Sequence, residues 1–297
     1  IWVLYRCPDI VDKFLPKKKS QKLWLIMQDW DYPNWTDKRI KNTDKIITLC
    51  KSHGRDVLAR HPLIKKNLWL TSNGIKADLI EEVEKDGVPV RNPKKIIYAS
   101  SPDRGLKQAL ISFKKAREII PDIELHAFYG FNNLDKLVEM NPKSHLSKTS
   151  REIKSLMNQE GVVWHGRVSQ KDLYKQWFSS GIWIYETNFN ETSCITSMEA
   201  QAMGAIPLFS PVYAQRENIL SGVAIEGNAD DPLTHARFAA EIIRLVSQPG
   251  LQGQIRPEMM KKSRERFNWE NFVTQWDLEA KGKRKEFEEQ FEFPNQL

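Results

Sequence analysis

The chain has 297 residues, 40% hydrophobic and 28% charged, a balance typical of a globular protein with room for two domains. Its formal net charge is +7, but the basic residues are spread along the chain, so composition does not favour a nucleic-acid partner. The positive charge is also compatible with peripheral contact with a membrane, but no sequence pattern supports such contact. No apolar run approaches the roughly 20 residues of a transmembrane helix. Three scattered cysteines without metal-ligand spacing favour a reducing compartment, so we expect a cytoplasmic protein.

The first 92 residues alternate between predicted strands and helices. Short apolar runs bounded by polar loops predict strands at residues 1–5, 22–27, 45–50 and 67–70, and a helix from Ser52. Such alternation predicts a parallel sheet that is covered on both faces. Ligands bind such sheets at the carboxyl ends of the strands, so the loops at Asp29 and His53 face the side where function is expected.

A polar segment at residues 81–93, with Gly87, Pro89 and Pro93, is typical of an interdomain linker. The pattern then repeats, with helices after Gly105, Ser169, Asp231 and Phe267. Further strands are predicted at residues 95–100, 123–129, 162–164, 181–185 and 205–209.

The turn between the strand at residues 95–100 and its helix has the features of a phosphate site. Arg104 supplies a fixed positive charge, Gly105 permits a tight turn, and the following helix start offers unpaired backbone N–H groups. Lys107, one turn further on, is a weaker candidate for a second cation.

Glu191 and Glu199 stand eight positions apart, on either side of a predicted helix start. Thr192 or Ser193 is expected to cap this helix, and Gly204 to close it with a positive φ. The two carboxylates and the helix N-terminus between them suit a ligand with a sugar ring, a diphosphate and a ribose. A chance pair of solvated glutamates remains the alternative reading of the spacing.

The Glu191–Glu199 pair, the segment EAQAMGAIPLFS that begins at Glu199, and the preceding GIWIYETNFN resemble the retaining glycosyltransferases of the GT-B fold (glycosyltransferase group 1, family 4-like). The resemblance extends over roughly residues 95–276. It implies an α/β protein of two Rossmann-like domains with parallel sheets. Residues 1–92 would be the C-terminal part of an acceptor-side domain with its linker, a first domain that is incomplete. Residues 93–265 would bind the donor, and residues 266–297 would form a helix that crosses back.

The resemblance also assigns site residues, with Glu191 on the donor sugar near the reacting carbon, Glu199 on the ribose and Arg104 on the diphosphate. Glu191 and Arg104 are the expected catalytic pair. Main-chain groups after the strand at 162–164 would line the base. The remaining expected donor-binding residues lie in three short segments: Ser101 and Gly105; Gly166, Arg167 and Val168; and Thr192, Ser193, Cys194, Ile195 and Thr196.

In the first 92 residues, TSNGI resembles the segment that leaves the first domain in this family. LWLIMQDWD resembles a strand and loop that often carries His-Asp, where this chain has Gln28-Asp29. Asp29 and His53 are therefore the expected acceptor-side residues. The aromatic residues that could stack on a carbohydrate there are Trp24, for which the core is the default, and Trp30, Tyr32 and Trp35.

The implied reaction transfers a sugar, with retention, from a UDP- or GDP-linked donor to a hydroxyl of a glycan, lipid or protein-linked acceptor. The resemblance implies that the reaction needs no cofactor and no metal ion. Two other classes stay open, a nucleotide-sugar epimerase or hydrolase on the same fold, and a degenerate transferase that only binds. Acid and base residues in the first domain would distinguish the former from a transferase.

Overall fold

The protein folds around two separate parallel sheets. The structure is a computed structural model and describes residues 1–29 and 34–283. Two of the predicted stacking residues, Trp30 and Tyr32, and the tail from residue 284 lie outside the described residues.

The first sheet has four strands in the order β1-β2-β3-β4, all parallel. Its inner strands are continuous apolar runs, so they are buried on both faces, as a covered parallel sheet requires. Short 3₁₀ turns complete the unit. The elements are β1 (Trp2–Tyr5), β2 (Leu23–Ile26), α1 (Asp37–Asn42), β3 (Lys45–Thr48), α2 (Lys51–Arg60) and β4 (Leu68–Leu70).

The second sheet has six parallel strands in the order β10-β9-β8-β5-β6-β7. Helices cover both of its faces. The elements are α3 (Ala77–Asp86), β5 (Asn92–Tyr98), α4 (Leu106–Arg117), β6 (Glu124–Phe128), α5 (Asn132–Met140), α6 (His145–Leu156), β7 (Val162–Gly166), α7 (Gln170–Ser179), β8 (Ser180–Tyr185), α8 (Ile195–Ala202), β9 (Ile206–Phe209), α9 (Gln215–Asn218), β10 (Val223–Ala224), α10 (Pro232–Ser247), α11 (Pro249–Arg266) and α12 (Trp269–Lys281).

The order of the second sheet reverses at its centre. From β5 the chain moves outward through β6 and β7, then returns to the other side of β5 to form β8, β9 and β10. The loops that leave β5 and β8 therefore diverge and open a crevice at their carboxyl ends, where ligands of such sheets bind. These two loops carry Arg104 and Glu191.

The prediction of a linker at residues 81–93 is wrong in its first half. Residues 81–86 form the end of α3, whose apolar stripe places Ile80 and Val83 in the core of the second sheet. The helix was overlooked because charged residues occupy its outer face. The chain thus enters the second unit well before residue 92, and the extended connection is limited to residues 87–91.

The last helix, α12, packs on the first sheet rather than on the second. The Trp276 ring lies 5.5 Å from that of Trp24 and 5.2 Å from that of Trp69, and Glu279 pairs with Lys45 at 2.5 Å. The buried side chain of Trp24 is part of this cluster. Among the described residues, no helix combines the length and the apolar character needed to cross a membrane.

A second contact between the units involves Glu217 of α9. Its carboxylate accepts hydrogen bonds from the backbone N–H groups of Lys51, at 2.7 Å, and Ser52, at 3.0 Å, and from the Ser52 hydroxyl. The carboxylate therefore satisfies N–H groups at the start of α2, where the helix dipole favours negative charge. This contact and α12 hold the two sheets on opposite sides of one cleft.

Candidate active site

The turn after β5 brings Arg104 to the cleft by a close approach of two backbones. Residues Pro102–Arg104 form a 3₁₀ turn, and Gly105 follows with φ +130°. A Cβ atom on Gly105 would lie 2.3 Å from the carbonyl oxygen of Glu186, so a larger residue cannot occupy this position. Glycine thus allows the start of α4 to lie directly against the loop that leaves β8. Ser101 bonds to Asp103 within the turn.

Arg104 and Glu191 meet in this crevice. Nη1 of Arg104 lies 2.9 Å and 3.2 Å from the two carboxylate oxygens of Glu191, and the Tyr185 hydroxyl donates to the same carboxylate at 2.7 Å. The guanidinium also lies over the ring of Phe189, 4.5 Å from its centroid. Burial alone lowers the pKa of Arg104, but Glu191 and Tyr185 outweigh burial and raise it, so the side chain stays charged.

The start of α8 lies beside this pair and is not capped as expected. Cys194 occupies the N-cap position and forms no side-chain cap, so the prediction of Thr192 or Ser193 as cap is wrong. Both hydroxyls bind the first unit instead. Thr192 Oγ1 donates to the Gln28 carbonyl at 2.6 Å, and Ser193 Oγ accepts from Asn73 at 3.1 Å. The first turn of α8 therefore lacks a side-chain cap.

Cys194 is a buried thiol that contacts the Thr196 hydroxyl at 3.2 Å. Burial raises its pKa to about 11, so it is not a thiolate nucleophile at neutral pH. Ile195, the first helical residue, lines the cleft with 40% of its surface exposed. Gly204 ends the helix region with φ +86°, as predicted.

Glu199 lies in the middle of α8. Its residue surface is 3% exposed, and one carboxylate oxygen accepts hydrogen bonds from Gln170 at 3.0 Å and from the Tyr174 hydroxyl at 3.1 Å. Burial raises the pKa of Glu199, although both hydrogen bonds oppose the shift. Both donors come from α7, one turn apart.

The segment that was expected to line a base leads directly into α7. Gly166 ends β7 with φ +64°, Arg167 is exposed, and Val168 packs on the hydrophobic core of the second sheet. Ser169 caps α7 by accepting from the N–H of Asp172, as the sequence predicted. Gln170, the first helical residue, then reaches Glu199, so the expected base and ribose segments are adjacent.

A cleft of about 390 Å³ separates the two units, and both contribute to its walls. Arg104, Glu191, Thr192, Ser193 and Ile195 line one side; Arg6, Gln28, Asp29, Leu49 and Asn73 line the other.

The two expected acceptor-side residues differ in position. Asp29 lines the cleft, 3.6 Å from the guanidinium of Arg6. His53 is completely buried in α2 and lies behind the wall of the cleft. Burial lowers its pKa to about 4, so it is neutral. The structure therefore does not place His53 where it could contact an acceptor. Lys107 pairs with Glu152 at 2.5 Å and lines a different cavity.

Sequence patterns missed the residues that hold the two glutamates in place. Tyr185 and Phe189 lie in the segment entering the Glu pair, and their contacts with Arg104 or Glu191 depend on tertiary structure. Gln170 and Tyr174 could have been noticed, because they are four positions apart on one face of a predicted helix.

The sequence model of the family described as "Glycosyl transferases group 1" matches residues 80–266, more than half of the chain. The chain belongs to this family. The match covers the second sheet and its helices, including Arg104, Glu191 and Glu199. A comparison with curated protein sequences gives no significant match.

Solved structures share the fold at low sequence identity. A TarM variant from S. aureus, solved with fondaparinux, α-GlcNAc-glycerol and UDP, has a TM-score of 0.68 at 15% identity over 92% of this chain. Sucrose-phosphate synthase from Thermosynechococcus elongatus has a TM-score of 0.69 at 14% identity, covering 94% of this chain and 73% of that one. A glycosyltransferase from Rickettsia africae has a TM-score of 0.70 at 16% identity, covering 97% and 76%.

This chain covers 54% of the TarM chain and so spans about half the length of that protein. The likeness establishes a GT-B α/β fold with two parallel sheets.

Proposed function

We propose that the protein is a retaining glycosyltransferase, of hexosyltransferase type, that moves a sugar from a UDP- or GDP-linked donor to an acceptor hydroxyl of a glycan, lipid or protein-linked saccharide. The observation that carries the proposal is the pair of glutamates at α8, with Glu191 in the loop before the helix and Glu199 within it. Glu191 faces the cleft beside Arg104, and Glu199 lies next to the segment after β7. UDP bound to TarM, a structure of the same fold, agrees with a nucleotide donor.

In this proposal the donor lies along α8. Glu199 accepts hydrogen bonds from the ribose hydroxyls, and Gly166, Arg167 and Val168 line the base. The diphosphate lies against the first turn of α8, which has no side-chain cap, where free N–H groups and the helix dipole favour an anion. The donor sugar then reaches Glu191 in the cleft.

Bond cleavage leaves negative charge on the diphosphate and positive charge on the anomeric carbon. Arg104 and the N–H groups of α8 are already in place for the former, which is the arrangement that stabilises such a transition state most. Glu191 stabilises the sugar. Because Glu191 is already bonded to Arg104 and Tyr185, we assign the acceptor proton to a donor phosphate oxygen rather than to this carboxylate.

Binding of UDP, GDP and their common sugar conjugates, measured by calorimetry, tests the donor site. We expect selective binding of one nucleotide, weakened by about 10- to 100-fold in Glu199→Ala because its hydrogen bonds to the ribose are lost. Glu258→Ala, which removes an exposed glutamate on α11, is the matched control and should bind like the original protein. Absence of binding to every nucleotide, with protein that is folded by circular dichroism, would contradict the proposal.

Retention is tested on the product. We expect the transferred sugar to keep the anomeric configuration of the donor, which the coupling constant of the anomeric proton reports in NMR spectra taken early in the reaction. An inverted product would refute the retaining mechanism while leaving the donor site intact.

A further inference from the structure

A second cavity, of about 630 Å³, lies on the far side of Arg104 and Phe189 from the cleft. It opens between the first turns of α4 and α6 and the start of α10. Its size is within the usual range for small-molecule sites. The cleft and this second cavity share the side chains of Arg104 and Phe189 as a common wall.

The floor of the second cavity contains a buried pair, Glu186 and His235. Nδ1 of His235 lies 2.7 Å from the Glu186 carboxyl, which also accepts from the Ser112 hydroxyl. Glu186 is completely buried, and the His235 side chain is 8% exposed. Among the described residues, Nε2 of His235 has no hydrogen-bond partner, and the ring lines the cavity. The fold thus maintains a polar atom there that a ligand could satisfy.

The charges around the second cavity do not suit an anion. Its two cations are already paired, Lys107 with Glu152 at 2.5 Å and Arg104 with Glu191 at 2.9 Å. Asp103 and Asp230 add carboxylates to the lining. A phosphate or nucleotide would meet these carboxylates, while Lys107 is held by Glu152 and Arg104 is assigned to the diphosphate in the cleft. A metal ion is equally unsuited, since no group of three or more His, Cys, Asp or Glu in the described residues is arranged to hold one.

The lining does suit hydroxyl groups. Asp230 accepts from Gln108 at 2.8 Å and from Asn188 at 3.1 Å, and carboxylate oxygens can accept further bonds from hydroxyls. Burial lowers the pKa of His235, so its ring is neutral, and a hydroxyl can pair with Nε2 in either tautomer by donating or accepting. Phe189, 41% exposed, and the side chains of Ile111 and Leu146 supply apolar contacts.

We propose that the second cavity binds a neutral saccharide, with hydroxyls on His235 and Asp230, and that this saccharide is the part of the acceptor beyond the hydroxyl that receives the sugar. The assignment to the acceptor rests on the proposed function. It follows from the shared wall, because a chain leaving the cleft across Phe189 enters the second cavity directly. The cavity would then select acceptors by length and by neutrality.

The test begins with the whole chain on an array of neutral and anionic oligosaccharides, with maltotriose, cellotriose and triacetylchitotriose as neutral probes and trigalacturonic acid as the anionic one. We expect a neutral trisaccharide to bind in preference to the anionic one. Thr149→Trp, which fills the cavity from α6, should weaken that binding by at least about tenfold. Arg151→Trp, on the exposed face of the same helix, is the matched control and should bind as before.

Gln108→Leu removes a lining amide without filling the cavity, so it keeps the test decisive if Thr149→Trp does not fold. UDP or GDP binding, measured in the same samples, separates the two proposals. Nucleotide binding without any neutral-saccharide binding overturns the second cavity alone, whereas loss of nucleotide binding in the original protein overturns the proposed function.

The source of the saccharide is decided by kinetics on the glycan that binds best. If it is the acceptor, Thr149→Trp raises KM for the trisaccharide but not for the methyl monosaccharide of the same series, with kcat for the latter unchanged. Equal KM values for the two proteins would overturn the acceptor assignment and leave a site for a separate saccharide.

Discussion

Glu191 lies in the loop before α8 and Glu199 lies within that helix, and the protein holds the two carboxylates by different means. Glu191 is held by a charge, the Arg104 guanidinium, and lies on the wall of an open cleft. Glu199 is held by two neutral donors, Gln170 and Tyr174, and is buried to a similar degree, 3% exposed against 6% for Glu191. The difference shows how one motif can provide both a charged reacting centre and a rigid binding point for an uncharged part of the same ligand.

Glu191→Gln removes the negative charge of the carboxylate in the cleft and should have the largest effect on activity. The amide keeps an oxygen for Tyr185 and Arg104, but it loses the negative charge opposite the developing positive charge on the sugar. We expect the rate of sugar transfer or of donor hydrolysis, measured as the release of UDP or GDP, to fall by about 100- to 1,000-fold. Glu226→Gln, at an exposed ion pair, is the control and should retain full activity. A fall of less than about threefold would show that the charge at Glu191 is not used.

Arg104→Lys tests whether the geometry of the cation matters as well as its charge. Lysine keeps a charged nitrogen that can contact Glu191, as Nη1 of Arg104 does, but it has no planar guanidinium to stack on Phe189. We expect kcat to fall by about tenfold, with a smaller change in nucleotide affinity. If Arg104→Lys has full activity while Arg104→Met has none, a point charge alone suffices.

The melting temperature of the protein should respond in opposite directions to neutralising Glu199 and Glu191. Because burial raises the pKa of Glu199, the folded state holds its proton more tightly than the unfolded state. That contribution is present below the unfolded pKa and is lost as pH rises through the folded pKa. At pH 7 we therefore expect Glu199→Gln to melt a few degrees higher than the original protein, and Glu191→Gln, which loses an ion pair, to melt lower.

The same melting experiment at low pH provides the control. The advantage of Glu199→Gln should shrink as pH falls through the raised pKa of Glu199 and vanish below the pKa of an ordinary glutamate, where Glu199 is protonated in both states. A shift of equal size at pH 4 and pH 7 would indicate that packing, rather than charge, causes it.

Glu217→Ala tests the contact between α9 and the start of α2 that helps to hold the two units together, and it should have the smallest effect. It removes the carboxylate that satisfies the N–H groups at the start of α2, a loss that typically costs about 1 kcal/mol. We expect faster hydrogen exchange at residues 51–60 and a slightly larger radius of gyration, with no change around Glu199. Unchanged exchange in α2 would mean that α12 and the Thr192–Gln28 and Ser193–Asn73 contacts hold the units together without Glu217.

Much of the second unit could be predicted from local patterns. Continuous apolar strands such as β8 indicate a covered parallel sheet, and the Arg104–Gly105 turn was identified from its residue chemistry together with the family resemblance. Five helices of the second unit, α3, α5, α6, α9 and α11, were not predicted, and the second cavity depends on one of them. The error at the cap of α8 has a specific cause. The hydroxyls of Thr192 and Ser193 were available locally, but Gln28 and Asn73 of the first unit compete for them.

Contacts across long sequence separations could not be predicted from one sequence. The Ser112–Glu186–His235 cluster joins three elements, and none of these residues has a local pattern that indicates burial of a polar pair. His53 shows the limit of the local pattern. The loop after a strand lies on the ligand side of the sheet, but His53 is in the first turn of α2 and its side chain is completely buried.

The packing of Trp276 against Trp24 and Trp69 has a consequence for synthesis on the ribosome. The first sheet emerges early, yet the side chain that covers its tryptophans is made more than 200 residues later, as the Trp69–Trp276 contact shows. Until then two large aromatic surfaces stay uncovered, which favours chaperone binding and slow maturation of the nascent chain. The two units are therefore consecutive in sequence but not independent in folding, and release of the C-terminal helix would uncover the first sheet again.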